Sequence, residues 1–463
     1  MEISVLASIL AFLAAAAGLL MRSSPRLVKT TGVIASGLIF VTLTIITFRQ
    51  SVQIGTIMST LIAAAAFVCI LSQQLIRHGE KPIILIFMIA GFSFAYLNVW
   101  LPEPIKTTSL GVLLGLLFLL SLKDRRENPL SNGAAVVFGV ALLCLILSSV
   151  FEGPLSTVLL FVTAAALLPL FPLHAAFVGL LSGYTDTFRA FLAVVLPCLG
   201  WYTIVARNSD IPQALGETVM VLAVIGAIVS TIRASVQIHL ARTIASIGTI
   251  LLSLAWLSIG TAGRTAEQTG FETTWYVMSV AVVTSGLLLC AHHLESRYGS
   301  QLRENLRGLA QPMPRFSLLL GVLVMAAAGV PPFFLFSILM AMMLASNQLH
   351  ILYIASAVSL ACSLLLVSIM QQLLFGARRS DLVYEDLGHC DVVALLLVAL
   401  VLMAGGVLPY MVTMNVEVTR IEKQKVPHMV ASNRSLNRQH NASRQSVSHS
   451  SELNRSFVCQ NEM

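Results

Sequence analysis

The sequence predicts an all-α polytopic membrane protein with about fourteen transmembrane helices, and two observations support this class. Of the 463 residues, 57% are hydrophobic and only 11% are charged, against roughly 25% charged residues in soluble domains. Apolar runs of about 17 to 25 residues, the length that crosses a hydrocarbon core of about 30 Å, recur along the chain. The runs are continuous rather than alternating, which excludes a transmembrane β-barrel.

Fourteen apolar segments give the predicted spans in chain order. They lie near residues 3–20, 31–48, 57–76, 83–101, 108–122, 134–151, 156–178, 190–206, 215–232, 243–261, 274–291, 317–343, 349–373 and 392–412. The first segment could instead be a cleaved signal peptide, because it contains an Ala-rich run at 14–17. No basic residue precedes it, however, and Arg22, Arg26 and Lys29 follow it, which favours a retained span.

Basic residues in the loops predict the orientation. The odd-numbered loops carry 17 Lys and Arg residues and the even-numbered loops carry 4. Basic loops stay in the cytoplasm, so this asymmetry predicts an N-terminus outside and, with fourteen spans, a C-terminus outside. The seven basic residues of the tail would then be exported, whereas an odd number of spans would leave them inside. We expect an integral protein of a bacterial inner membrane.

The chain divides by composition into a transmembrane domain, 1–412, and a polar tail, 413–463. The tail is rich in Ser, Asn, Arg and Gln without an apolar period, so we expect it to be disordered. The net charge of +7 comes from orientation signals and the tail, so no nucleic-acid partner is predicted. The seven cysteines are scattered without metal-ligand spacing, and no phosphate loop occurs, so we predict neither metal nor cofactor.

Two predicted spans are interrupted from within. The residues responsible are Pro169 and Pro172 near 168–174, and Gly329, Pro331 and Pro332 near 329–333. Proline removes a backbone donor and clashes with the preceding turn, so both spans are predicted to be broken helices. A single break is as readily a packing kink, but paired breaks in two halves of a chain are typical of transporters with inverted repeats.

The segments around these breaks resemble those of a known family. The matching stretches are "LLPLFPLHAAF", "VVLPCLGWYTIVAR", "HLARTIASIGTILLSLAWLSIG", "NLRGLAQPMPRFSLLLGVLVMAAAGVPPFFLFSILM" and "GGVLPY". In this order they resemble the antiporter-like, proton-conducting membrane subunits of respiratory complex I, membrane-bound hydrogenases and Mrp-type antiporters, over roughly residues 80–412. The resemblance implies fourteen core helices with both ends outside and two inverted five-helix repeats. It implies a subunit of a larger complex, which is not catalytic alone.

The chain departs from this family at its intramembrane charges. The resemblance places a glutamate on the fifth helix, but 108–122 contains no carboxylate. The family's lysines on the seventh and eighth helices align with Leu167 and Cys198, and its charged residue after the second break aligns with Ile338. Leucine and isoleucine cannot carry protons, so the resemblance supports fold and partners more strongly than proton pumping.

Four residues remain as candidates for an ion path: His174, Arg242, Cys198 and Asp186. His174 stands beside the first break, where it either exchanges protons or caps carbonyls freed by the kink. Arg242 keeps a basic position of the family, although with Arg233 and His239 it could simply anchor a helix pair at the surface. Cys198 adds a titratable thiol.

Two further groups are predicted to be solvated. Asp186 with Arg189 forms either an exposed pair in a cytoplasmic loop or an ion entrance. The neighbouring residues His292, His293 and Glu295 follow the span 274–291 and are interpreted as a wet loop, not a metal site.

Three functions fit these observations. The first is an ion-translocating membrane subunit of a complex I-like, hydrogenase-like or Mrp-like assembly, bound to other membrane subunits and to a possible soluble module. The second is a non-conducting scaffold of the same fold that docks a partner, for example in inorganic-carbon uptake. The third, independent solute transport, is disfavoured because no group in the spans would bind a charged substrate.

Overall fold

The structure, a computed structural model, describes most of the chain up to Gly406. The described residues are 2–21, 24–49, 53–74, 81–124, 129–184, 186–205, 213–260, 266–299, 302, 306–345, 349–375 and 386–406. The predicted polar tail, 413–463, lies outside them.

Sixteen helices make up the described residues, which contain no strand. The first nine are α1 (Glu2–Leu20), α2 (Pro25–Arg49), α3 (Ile54–Ser72), α4 (Lys81–Leu97), α5 (Glu103–Asp124), α6 (Pro129–Val150), α7 (Pro154–Leu167), α8 (Ala175–Gly183) and α9 (Phe188–Val205). The other seven are α10 (Gln213–Val236), α11 (Leu240–Gly260), α12 (Ala266–Tyr298), α13 (Pro314–Ala327), α14 (Phe334–Ala345), α15 (Leu349–Phe375) and α16 (His389–Gly406). The predicted all-α class is confirmed.

Ten of these helices are long and apolar enough to cross a membrane, judged by length and composition. Shorter apolar helices are α1, α4, α7 and α13. The integral membrane class is therefore supported, whereas the number of fourteen spans stays a prediction. Several helices extend beyond the predicted spans, and α12 in particular continues seven residues past 291.

Both predicted breaks are present. The helix α7 ends at Leu167 and α8 begins at Ala175, while α13 ends at Ala327 and α14 begins at Phe334. The backbone of the first break remains hydrogen-bonded, because Leu168 N donates to Ala164 O at 2.7 Å and His174 N donates to Leu170 O at 2.9 Å. The inverted relation of the two halves stays a prediction.

Three helices form the centre of the bundle. The helices α9, α11 and α12 are buried along almost their whole length, whereas α2, α10 and α15 bury less than half of theirs. The outer helices expose large apolar side chains such as Ile34, Leu38, Ile228 and Leu360. A contiguous apolar exterior on helices of spanning length is what a bilayer solvates. The candidate residues Cys198 and Arg242 therefore lie on central helices.

Each break packs against a glycine of a neighbouring helix. A Cβ atom on Gly200 of α9 would lie 2.5 Å from the Leu168 backbone nitrogen in the first break. A Cβ atom on Gly406 of α16 would overlap the Pro332 carbonyl oxygen in the second break. Because backbone rather than a flexible side chain stands opposite, neither contact can relax without moving the break.

We expect Gly200→Ala to destabilise the protein by about 1–3 kcal/mol, the usual cost of overpacking a filled core. The reason is that the added methyl group would displace the backbone of the first break. Thermal unfolding of the purified protein in detergent would measure the loss. Gly321→Ala is the matched control, since no atom lies within 4 Å of its Cβ position. Equal stability of the two variants would contradict the close contact.

Candidate functional site

His174 lies at the first break and contacts a basic residue of another helix. Its side chain is 4% exposed, and its Nε2 lies 3.2 Å from Arg233 Nη1 on α10. Its ring also stacks on Phe171, with centroids 5.5 Å apart. Because a guanidinium only donates hydrogen bonds, Nε2 is the acceptor and the imidazole is neutral with its proton on Nδ1. The ring also lies close to the Pro172 carbonyl.

This geometry bears on both sequence interpretations of His174, proton exchange and capping of carbonyls freed by the kink, and both stay predictions. The His174 side chain does not cap α8, and Arg233, expected as a surface anchor, reaches the break from the α10 surface. The break therefore joins an imidazole that can exchange protons to a fixed positive charge.

The positions where the family carries charges are apolar and buried. Leu167 and Cys198 are fully buried, and Ile338 is 3% exposed. The Trp201 indole nearby on α9 donates to Thr274 Oγ1 at 2.8 Å, and most other hydroxyls of α11 and α12 bond carbonyls within their own helix. Cys198 thus adds a buried thiol rather than a charge.

Arg242 lies in the first turn of α11, partly exposed, next to His239. Burial, and then the charge of Arg242, lower the pKa of His239, which lies between α10 and α11. The two residues stand at the start of α11, and both the anchoring and the ion-path interpretation of Arg242 stay predictions.

The expectation of a solvated Asp186–Arg189 pair is wrong for Arg189. The Arg189 side chain is fully buried and its Nη2 lies 3.0 Å from Glu295 Oε2 on α12. Its Nη1 also donates to the Tyr184 carbonyl at 3.1 Å. Asp186 is partly exposed and accepts from Phe188 N at 3.2 Å, which caps the start of α9. The carboxylate that pairs with Arg189 was missed because α12 extends past its predicted end.

The expectation of a wet loop at 292–295 is also wrong. His292 and His293 are both fully buried inside α12. His293 Nε2 lies 3.1 Å from Ser72 Oγ at the end of α3, and its Nδ1 lies 3.7 Å from Asp391 Oδ2 on α16. Arg297 Nη2 lies 3.9 Å from the same Asp391 oxygen.

These groups join into one charge cluster at the end of the bundle where α3 and α12 finish and α9 and α16 start. Its members are Lys29, Ser72, Gln73, Thr187, Arg189, His293, Glu295, Arg297 and Asp391. Lys29 of α2 donates to the Gln73 carbonyl at 2.7 Å, and Thr187 donates to the Gln73 side chain. The cluster therefore ties five helices together through polar contacts.

A further cation lies in a cavity away from this cluster. Lys106 is 9% exposed, on the second turn of α5, and forms an ion pair of 3.1 Å with the exposed Glu103. The cavity has a volume of about 300 Å³ and is also lined by Tyr96 and Tyr202. Sequence interpretation counted Lys106 as a loop residue, because the span was drawn from 108. In the described residues no group of three or more His, Cys, Asp or Glu side chains could hold a metal ion.

Comparisons with known proteins agree with this architecture. The sequence profile of the family described as NADH:quinone oxidoreductase/Mrp antiporter, TM, matches residues 109–365, more than half of the chain. No curated protein sequence matches it.

Several solved structures share the fold at low sequence identity. A chain of respiratory complex I from Thermus thermophilus with bound NADH has a TM-score of 0.71 and 17% identity, covering 88% of this chain and 96% of that one. A chain of the membrane-bound sulfane sulfur reductase, an archaeal respiratory membrane complex, has a TM-score of 0.74 and 17% identity, and the match covers 88% of this chain and 76% of that one. A chain of the Mrp complex from Dietzia sp. DQ12-45-1b has a TM-score of 0.72 and 14% identity, and the match covers 89% of this chain and 96% of that one.

We expect Arg189→Met to destabilise the protein by about 3–5 kcal/mol, because it leaves the Glu295 charge buried without its main cation. The double variant Arg189→Met/Glu295→Met removes both charges and should recover most of the loss. Unfolding of each variant in detergent would measure the differences. Arg315→Met, which changes an exposed arginine, is the control. A double variant no more stable than the single one would contradict the pairing.

Proposed function

The chain belongs to the NADH:quinone oxidoreductase/Mrp antiporter transmembrane family, and on that premise we propose that it is a membrane subunit of a complex I-like or Mrp-like assembly that moves protons or other cations. The similar chains come from complexes of that kind. Its partners would be other membrane subunits, with a soluble redox module as a further candidate. The loops with 17 basic residues would face the cytoplasm of a bacterial inner membrane.

The observation that carries the proposal is the His174–Arg233 contact at the first break. A broken helix frees carbonyls that can hold a cation or a proton carrier at membrane depth. His174 is buried there between the Pro172 carbonyl and the Arg233 guanidinium. A neutral imidazole with one nitrogen protonated and the other accepting can pass a proton from one side of its ring to the other.

The fixed charge of Arg233 supplies a physical control on that step. A cation 3.2 Å from Nε2 disfavours a second positive charge on the ring, so a proton passes through His174 only when Arg233 moves or its charge is compensated. Arg233 lies on the outer helix α10, at its exposed end, where a partner subunit can supply that compensation. Conduction would then depend on the assembled complex.

The second candidate, a non-conducting scaffold, is favoured by the burial of Leu167, Cys198 and Ile338. Apolar side chains at these positions break the row of charges through which the resemblance implies that protons move. Such a chain would keep the fold to dock a partner, as in inorganic-carbon uptake. The two candidates make opposite predictions for proton flux.

We expect uncoupled proton flux into vesicles that contain the full chain assembled with its membrane partners to fall at least tenfold in His174→Ala, since general acid–base groups contribute about 10²–10⁴-fold. A pH-sensitive dye inside the vesicles would follow the flux. His239→Ala is the matched control, because His239 lies between α10 and α11. Cys198→Lys restores a family charge and should raise the flux.

Two outcomes would contradict conduction through His174. Equal flux in wild type and His174→Ala would place the path elsewhere. An absence of flux in wild type, in a chain that still co-purifies with membrane partners, would favour the scaffold.

A further inference from the structure

We propose that Asp391 and His293, together with Ser72, form a proton-holding site at the end of the bundle, away from both helix breaks. The inference rests on the proposed function in one respect only: proton translocation is the process in which the held proton would take part. The three residues come from α16, α12 and α3. Their side chains meet because the three helices start or finish at the same end.

The contrast between two buried carboxylates identifies Asp391 as the exchangeable one. Glu295 lies 3.0 Å from Arg189, whose side chain is fully buried, so its charge is held by a close cation. The Asp391 side chain is equally buried and is hydrogen-bonded to Ser72 and the Gly388 backbone, yet its cationic neighbours are farther away: Arg297 at 3.9 Å and His293 at 3.7 Å. A carboxylate removed from water without a close ion pair is the group in a cluster that accepts a proton.

The cations near Asp391 are also engaged with other groups. Arg297 donates to the carbonyl of Asp386, and Lys29 donates to the carbonyl of Gln73 at 2.7 Å. Both still act on Asp391 through their charge, but neither is dedicated to it. Asp391 is therefore surrounded by positive charge at a distance rather than locked into a pair.

His293 gives the held proton a second position. A proton on Asp391 Oδ2 can move to His293 Nδ1, breaking one O–H bond and forming one N–H bond, which leaves a carboxylate beside an imidazolium. Ser72 Oγ, 3.1 Å from Nε2, accepts the hydrogen bond from the other ring nitrogen in both states. The gap of 3.7 Å must close by about 1 Å to reach hydrogen-bond length. The pair therefore titrates as a unit, not as two independent groups.

Charged and titratable groups of the neighbouring helices lie around this site. They are Lys29 on α2, Cys69 on α3, Asp186 and Arg189 at α9, His292, Glu295 and Arg297 on α12, and Asp386 before α16. Asp386 is engaged elsewhere, since its carboxylate accepts from the backbone nitrogens of Arg315 and Phe316 at the start of α13.

Infrared difference spectroscopy of the full chain in lipid vesicles, titrated between about pH 5 and 9, tests the site. We expect a protonated-carboxyl band that Asp391→Asn removes and that His293→Gln moves to another midpoint. Two matched controls should leave the band unchanged: His292→Gln, an equally buried histidine one residue away, and Asp386→Asn, which keeps a capping side chain. A band that persists in Asp391→Asn, or that changes equally in His292→Gln and His293→Gln, overturns the proposal.

A second variant keeps the test decisive if Asp391→Asn does not fold. Ser72→Ala removes the hydrogen bond between Ser72 and the Asp391 side chain, which differs between the two protonation states of Asp391, so we expect the midpoint to shift by about half to one pH unit. An unchanged midpoint overturns the site. The spectra report the held proton and not its flux, so a titrating pair in a chain without flux would reject conduction and leave this site standing. Flux without a titrating pair would support conduction and reject this site.

Discussion

The cost of placing a charge in an apolar interior governs this protein. The middle of the bundle avoids that cost, because Leu167, Cys198 and Ile338 fill it with uncharged groups. Charges occur instead at helix ends, where Arg189 pairs with Glu295 of another helix and Lys106 pairs with Glu103 of its own helix. The same rule explains the breaks, where backbone hydrogen bonds continue within local turns.

The charge cluster and the breaks have different mechanical roles. The breaks are packed tightly against Gly200 and Gly406. These backbone contacts leave no free space, so they fix how the neighbouring helices are positioned along one another. The cluster holds its helices through polar contacts of 2.7 to 3.9 Å, which can rearrange when a proton is gained or lost. A movement that responds to protonation would therefore start at the cluster, while the breaks transmit it as rigid elements.

The class, the breaks and the apolar centre follow from local sequence alone, since hydrophobic length and proline chemistry act over a few residues. The charge cluster does not, because its contacts join residues far apart in the chain, as Ser72 and His293 are, 221 positions apart. Helix ends caused the other errors. Polar residues at 292–298 resemble a loop, yet α12 continues through them because other helices bury and pair them, a tertiary effect that propensity does not contain.

The same reasoning explains how this chain keeps its fold with uncharged residues at its centre. The packing of α9 on the first break depends on Gly200 and the Leu168 backbone, neither of which is charged. Polar contacts and ion pairs at the ends of α3, α9, α12 and α16 hold these helices together, away from the centre of the bundle. In this chain, the residues that pack the breaks are thus different from the ionisable residues of the charge cluster. The apolar centre of the bundle is compatible with the fold because the close contacts at the breaks and the ion pairs at the helix ends are made elsewhere.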